Sequence, residues 1–259
     1  MRRGGELSDG GKTMLSNKDI LTIVRAQLAT DLNCSPADFG RDGFVFCEAR
    51  ENPGRRPFPR DKRHFDMVTM GGAVVVSATP DILPYLREQL DGKTRYDAFN
   101  APFVYGAGLY FLPDNPQPLP MPDGFEFTLL ERKDIPALYA LEGFRYAIQY
   151  DINHPRPDVI AMTAKKNGAV IGMSGASADC GMMWQIGIDV LPEYRGLGIA
   201  AALTNRLAIE ISERGKIPYY GVALCNVASL RTACRAGLKP AWTSAYRGRF
   251  DDTLTAPTS

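Results

Sequence analysis

The chain has 259 residues, 45% of them apolar and 23% charged, a size and balance that suit two small globular domains and exclude global disorder. Glycine and proline, 25 and 19 residues, are too few for a low-complexity chain. With 30 basic and 29 acidic residues the net charge is +1, so bulk electrostatics gives no ground for nucleic acid or membrane as a partner, and any anion site has to be local.

Cys34, Cys47, Cys180, Cys225 and Cys234 form an odd set without a C-x-x-C pair, which reads as reduced thiols of a cytoplasmic protein. The two histidines, His64 and His154, stand far apart, so the ligand cluster of a zinc site is missing and no metal is expected. Residues 1–13 (MRRGGELSDGGKT) are basic but lack an apolar stretch, and read as a disordered leader rather than a secretory signal.

In chain order, residues 14–112 read as a first, smaller α+β domain. A helix at 18–32 carries Ile20, Leu21, Ile23, Val24, Leu28 and Leu32 at near-helical spacing behind Asn17 as its cap. A strand at 43–47 follows. The arginine-bearing stretch 50–64 reads as a solvated, turn-rich loop, and 67–78 as two strands around Gly71-Gly72. A helix at 80–90 and a strand at 103–112 complete this half. Pro113, Pro116, Pro118, Pro120 and Pro122 make 113–123 an extended linker, and the domain boundary is placed there.

The second domain, 124–250, alternates more clearly. A strand at 125–130 leads to a helix at 133–141 and an aromatic segment, 144–150, that suits a second helix. Strands at 159–164 and 169–176 flank Asn167-Gly168, a two-residue hairpin signal. After a turn at 177–181 come a strand (182–190), a helix (200–213), a strand (218–224), a helix (228–236) and a last strand or hairpin (238–250), with 251–259 as a tail. Hairpins combined with strand-helix-strand units imply an α+β fold with a mixed central sheet.

The most informative stretch is WQIGIDVLPEYRGLGIAAAL, residues 184–203. A strand stops near Val190 and Pro192, and Arg195-Gly196-Leu197-Gly198 opens an alanine-rich helix whose first N–H groups carry the positive end of the helix dipole. Such a terminus binds phosphate. The dinucleotide fingerprint G-x-G-x-x-A is matched formally, but too many residues separate strand from glycine, and positions 221–225 offer no carboxylate for a ribose. No Gly-Lys-Ser/Thr follows, which excludes a Walker loop.

Arg195-x-x-Gly198-x-Ala200, after Ile188-x-Val190-x-Pro192-x-Tyr194, resembles the pyrophosphate motif of the GNAT superfamily of N-acetyltransferases. The strand at 218–224, then Asn226-x-x-Ser229 and a helix ending at Gly237-Leu238, is similar to that family's next block. The resemblance implies the acyl-CoA N-acyltransferase (GNAT) fold over 124–250 and acetyl-CoA as cosubstrate. It assigns main-chain groups of Ile188, Asp189 and Val190 to the pantetheine arm. Arg195, Gly196, Leu197, Gly198, Ile199, Ala200 and Ala201 fall to the pyrophosphate, and Asn226 and Ser229 to the thiol side.

The implied chemistry is direct attack of an amine, from a small molecule or a protein, on the thioester carbonyl. Many family members carry a tyrosine seven residues after this asparagine as thiolate acid. That position here is Ala233. Asp179, Glu142 and Tyr246 are candidate catalytic groups, with Tyr220 a further hydroxyl. The missing tyrosine keeps open a non-catalytic acyl-CoA-binding sensor or regulatory module. The first half has no phosphate motif and loosely resembles a degenerate copy of the same core; a homodimer is an expected assembly.

Overall fold

The computed structural model describes residues 15–60 and 62–246. The expected leader at 1–13, the tail at 251–259 and positions 247–250 of the expected last strand lie outside the described residues.

Helix α1 (Asn17–Leu32) is capped by Ser16 rather than Asn17, because Ser16 and Asp19 cap each other in a capping box. Its buried stripe, Ile20, Val24, Leu28 and Leu32, repeats every four residues and packs on the middle of the sheet through Val68, Met183, Tyr219 and Trp242. Each such side chain contributes roughly 1.5–3 kcal/mol. Strands β1 (Phe44–Glu48), β2 (Phe65–Thr69) and β3 (Val74–Ala78) follow, then helices α2 (Leu83–Leu90) and α3 (Arg95–Phe99) and strand β4 (Gly106–Pro113). Helix α3 was not expected; a Thr94/Asp97 capping box starts it.

The second half forms β5 (Glu126–Glu131), β6 (Asp158–Lys166), β7 (Ala169–Ala178), β8 (Met183–Val190), α4 (Ile199–Glu213), β9 (Ile217–Ala223), α5 (Val227–Arg235) and β10 (Leu238–Tyr246). Asn167 and Gly168, both at positive φ, close the β6–β7 hairpin as their residue types predict. All strands join one ten-stranded mixed sheet in the order β1-β3-β2-β10-β4-β9-β8-β7-β6-β5. The first half contributes β4 to the middle of this sheet, antiparallel to both β9 and β10.

Two expected helices do not form. Residues 133–141 contain only a 3-10 turn at Ile135–Leu138, where Pro136 replaces a helical donor and the bonds run i to i+3. In 144–150 the amides of Arg145, Tyr146 and Ala147 go to the Asp189 carboxylate, and that of Gln149 goes to Asp158. Side chains of neighbouring strands thus take the donors a helix would need. The stretch 50–64 is irregular as expected, but it is not simply solvated: Arg55, Arg56 and Arg60 are buried to about nine-tenths.

Candidate active site

Strands β8 and β9 run parallel only over Met183↔Ile217, Trp184↔Pro218 and Gln185↔Tyr219. Beyond Gln185 they part. β8 stays paired with β7 on its other side, and β9 with β4, so each strand presents an unpaired main-chain edge to the gap. A cavity of about 390 Å³ opens there, walled by Ile186, Gly187 and Ile188 of β8, Tyr220 to Ala223 of β9, Ser229 of α5 and Asn226, the cap of that helix.

The segment 145–149 closes another wall. Asp189 holds it by accepting three main-chain N–H groups at 2.7, 2.5 and 3.0 Å. Close approach depends on small residues in the sheet beneath. A Cβ on Gly187 would stand 2.0 Å from the Tyr146 carbonyl oxygen, and one on Gly175 2.3 Å from the Ile148 side chain. Helix α4 packs on the opposite face, where a Cβ on Gly172 would stand 3.1 Å from Ile199 and 3.5 Å from Leu203.

Asp158 is the single carboxylate lining the cavity. Both its oxygens lie 3.0 Å from the Gln149 amide, and the Tyr139 hydroxyl donates to it at 3.0 Å. Burial raises its pKa above the ordinary carboxylate value, against the lowering by those bonds. Burial and the Asp158 charge push Tyr139 up to about 12. Tyr220, on β9, is also raised by burial and keeps its proton, while its hydrogen bond to Ser229 acts the other way. A retained acid and a basic carboxylate thus share one cavity.

The glycine loop follows the C-terminal end of β8. Gly196 and Gly198 have φ of 82° and 84°, values that side-chain-bearing residues avoid. Arg195 Nε donates to the Val190 carbonyl at 3.0 Å and fixes the loop's start. Gly198 caps α4 without a side-chain acceptor, so the first-turn amides through Ala201 remain available. The loop is open: a Cβ on Gly196 would meet nothing within 4 Å, and one on Gly198 only Pro122 at 3.9 Å.

The expected site residues divide into groups. Ile188, Asn226 and Ser229 line the cavity, and the Asn226 side chain accepts the Ser229 amide at 3.1 Å. Asp189 and Val190 lie just beyond it on β8, the former committed to the 145–147 amides. Arg195 to Gly198 form the separate glycine loop, and Ile199 to Ala201 the first turn of α4. Asp179 is 2% exposed and lies outside the cavity lining, hydrogen-bonded by Ser177 and Tyr219 and 3.6 Å from Arg156. Glu142 is exposed and does not line the cavity. Tyr246 ends β10, paired with Asp66 and Gly106, and its side chain lies outside the described set. Sequence reasoning missed Asp158, whose signal was a carboxylate abutting the apolar run Val159-Ile160-Ala161-Met162 at the start of a strand. Among the described residues no group of three or more His, Cys, Asp or Glu could hold a metal ion, and no helix is long and apolar enough to cross a membrane.

The Acetyltransferase (GNAT) family matches residues 126–237. YdfB, an uncharacterized N-acetyltransferase of Bacillus subtilis strain 168, is 29% identical over 101 residues, or 39% of this chain. The match spans about a third of that relative, 33% of its length. Among solved structures, an acetyltransferase from the GNAT family of Colwellia psychrerythraea is 12% identical with a TM-score of 0.47, covering 92% of this chain and 99% of that one. A GCN5-related N-acetyltransferase from Kribbella flavida is 16% identical with a TM-score of 0.43, covering 70% of each chain. Residues 126–237, which hold the parted parallel strands and the glycine loop, are a GNAT acetyltransferase domain with the α+β fold of that family.

Proposed function

We propose that the chain is an N-acetyltransferase that uses acetyl-CoA and acts on an amine of a small molecule or a protein. One observation carries this reading: the parting of β8 from β9 after Gln185 and Tyr219, which leaves a cavity between two unpaired strand edges. Such edges accept an extended amide-bearing chain as an added strand would be accepted. Acetyl-CoA supplies the activated acetyl thioester.

Main-chain groups of Ile188 and Val190 bind the pantetheine amides, and the amides of Gly196 to Ala201 hold the pyrophosphate. Asn226 and Ser229 flank the thiol end. Asp158 accepts the proton that the attacking amine loses, directly or through one water, and its raised pKa suits that work. Tyr220 donates its proton to the departing sulfur, the duty left vacant by Ala233. The 145–149 segment, tied down by Asp189, shapes the acceptor side.

Calorimetry with acetyl-CoA tests the binding half. Wild type binds, and Gly198→Trp, which puts a bulky side chain at a φ of 84° in the open loop, abolishes binding. Undiminished binding in that variant would remove the site. Thiol release across a panel of amines tests the chemistry: turnover on at least one amine is expected, and tight binding with no turnover on any would favour the non-catalytic acyl-CoA-binding module.

A further inference from the structure

A second cavity, about 240 Å³, lies on α1, β2, β4, β10 and the loop after Gly54. Tyr110 and Trp242, with rings stacked 4.8 Å apart, line it together with Leu28 and Val68. So do three guanidinium groups, on Arg55, Arg56 and Arg60, whose side chains are 7%, 8% and 11% exposed. Arginines buried to this degree ordinarily have matched partners.

Arg56 has one, Asp31, at 2.6 Å. Arg60 reaches Asp66 at 3.4 Å. Arg55 does not: the carboxylate in its range is Glu51, 3.5 Å away, 76% exposed and shared with Arg60. Its other bonds go to the main-chain carbonyls of Arg56 and Phe58. The Nε atoms of both Arg55 and Arg60 are buried without a hydrogen-bond partner, a costly state in a low-dielectric setting. Burial, reinforced by the Arg60 charge, also draws the Arg55 pKa below its ordinary value. Three cations and two carboxylates line the cavity, one positive charge in excess within the lining itself, since the exposed Glu51 stands outside it.

We propose that this cavity binds a small monocarboxylate, its charge held by Arg55 and Arg60 and its apolar body against Tyr110 and Trp242. One negative charge balances the lining, whereas a phosphate dianion would exceed it and face the Asp66 carboxylate. A forked carboxylate matches the planar guanidinium donors, and the apolar walls favour a ligand with a hydrocarbon or aromatic body. None of its lining residues lines the β8/β9 cavity.

Calorimetry on the full chain with benzoate, benzamide and inorganic phosphate tests the proposal. Benzoate is expected to bind saturably, with benzamide and phosphate each at least about tenfold weaker. Arg55→Gln weakens benzoate by a similar factor. Because Arg55 also holds two main-chain carbonyls, a second variant, Ser244→Phe, fills the cavity from β10 with every arginine in place, and abolishes binding. A single cooperative melt and an unchanged far-ultraviolet spectrum confirm that each variant is folded. Absence of saturable benzoate heat in the wild type, equal affinity for benzamide, tighter binding of phosphate, or full benzoate affinity in folded Ser244→Phe would each overturn the assignment.

Discussion

Arg56 and Tyr219 are 163 positions apart in sequence, yet the Arg56 Nη1 donates to the Tyr219 hydroxyl at 3.2 Å in the interior. Asp31 anchors the same guanidinium at 2.6 Å, and the Tyr219 hydroxyl donates onward to Asp179. Arg156 lies 3.6 Å from Asp179 and stacks on Phe58, whose ring Arg56 also covers. A buried polar chain thus joins the loop of the first half to the floor of the sheet in the second, and Gln185, which Arg156 contacts at 3.2 Å, extends it to the wall of the candidate active site.

Removing one link should be expensive. Tyr219→Phe leaves the Asp179 and Arg56 groups underbonded and is expected to cost about 1–3 kcal/mol. Asp31→Asn strips Arg56 of its buried counter-charge and is expected to cost about 3–5 kcal/mol. Urea unfolding followed by fluorescence measures both. Midpoints equal to wild type would show that the chain contributes nothing to stability.

Gly187→Ala should deform the acceptor wall. Its methyl would stand 2.0 Å from the Tyr146 oxygen and 2.8 Å from that of Ala147, so the 145–149 segment has to lift from β8. A loss of about 1–3 kcal/mol in stability and a raised KM for the amine are expected. Steady-state kinetics with an unchanged amine KM would contradict the close packing.

Asp189 holds that segment, and Asp189→Ala releases three amides at once. Transfer is expected to fall on the order of 100-fold through misplacement of the acceptor, while acetyl-CoA affinity measured by calorimetry stays within a few-fold. Glu142→Gln, changed on the exposed surface, should leave both untouched. Equal damage from the two variants would argue against the positioning role.

The rate should depend on pH in a bell shape. Asp158 is raised, so kcat/KM climbs with pH through a value above the ordinary carboxylate pKa of about 4. Tyr220 is raised too, so the alkaline fall lies above the ordinary tyrosine pKa of about 10. Asp158→Asn should erase the acid limb, and Tyr220→Phe the alkaline one. Stability has its own sign. The folded state holds the Asp158 proton more tightly than the unfolded chain, so this contribution is present at low pH and is lost as pH rises through the folded pKa. Unfolding curves across pH would show that slope in wild type and its loss in Asp158→Asn.

What was legible in the sequence was local. The glycine pair at 196 and 198, Asn167-Gly168, and the apolar runs at 159–164 and 169–176 each encode their conformation in adjacent residues, so they could be read without partners. Ser16, Thr94 and their acidic mates three positions on were equally readable, yet Asn17 drew the capping assignment and α3 went unrecognised. Other features are non-local by nature. The amides of 145–149 are claimed by Asp189 and Asp158 from other strands, which overrode the helical reading of that segment. Asp158 and Tyr220 enter one cavity from separate strands, and no spacing rule connects them. The arginines of 50–64 look like surface charge until Asp31 and Tyr219 are brought to them.

The insertion of β4 between β9 and β10 has a consequence for how the chain is made. β4 leaves the ribosome well before either strand that flanks it, since these occupy Ile217–Ala223 and Leu238–Tyr246. Both of its edges therefore wait through synthesis of almost the whole second half, and the sheet closes only when the last strand emerges. Such long-range closure slows folding and leaves an apolar strand bearing Leu109, Phe111 and Leu112 open to intermolecular pairing in the meantime. Stalled or truncated nascent chains that stop short of β10 should accordingly be the species that chaperones capture and that aggregate first.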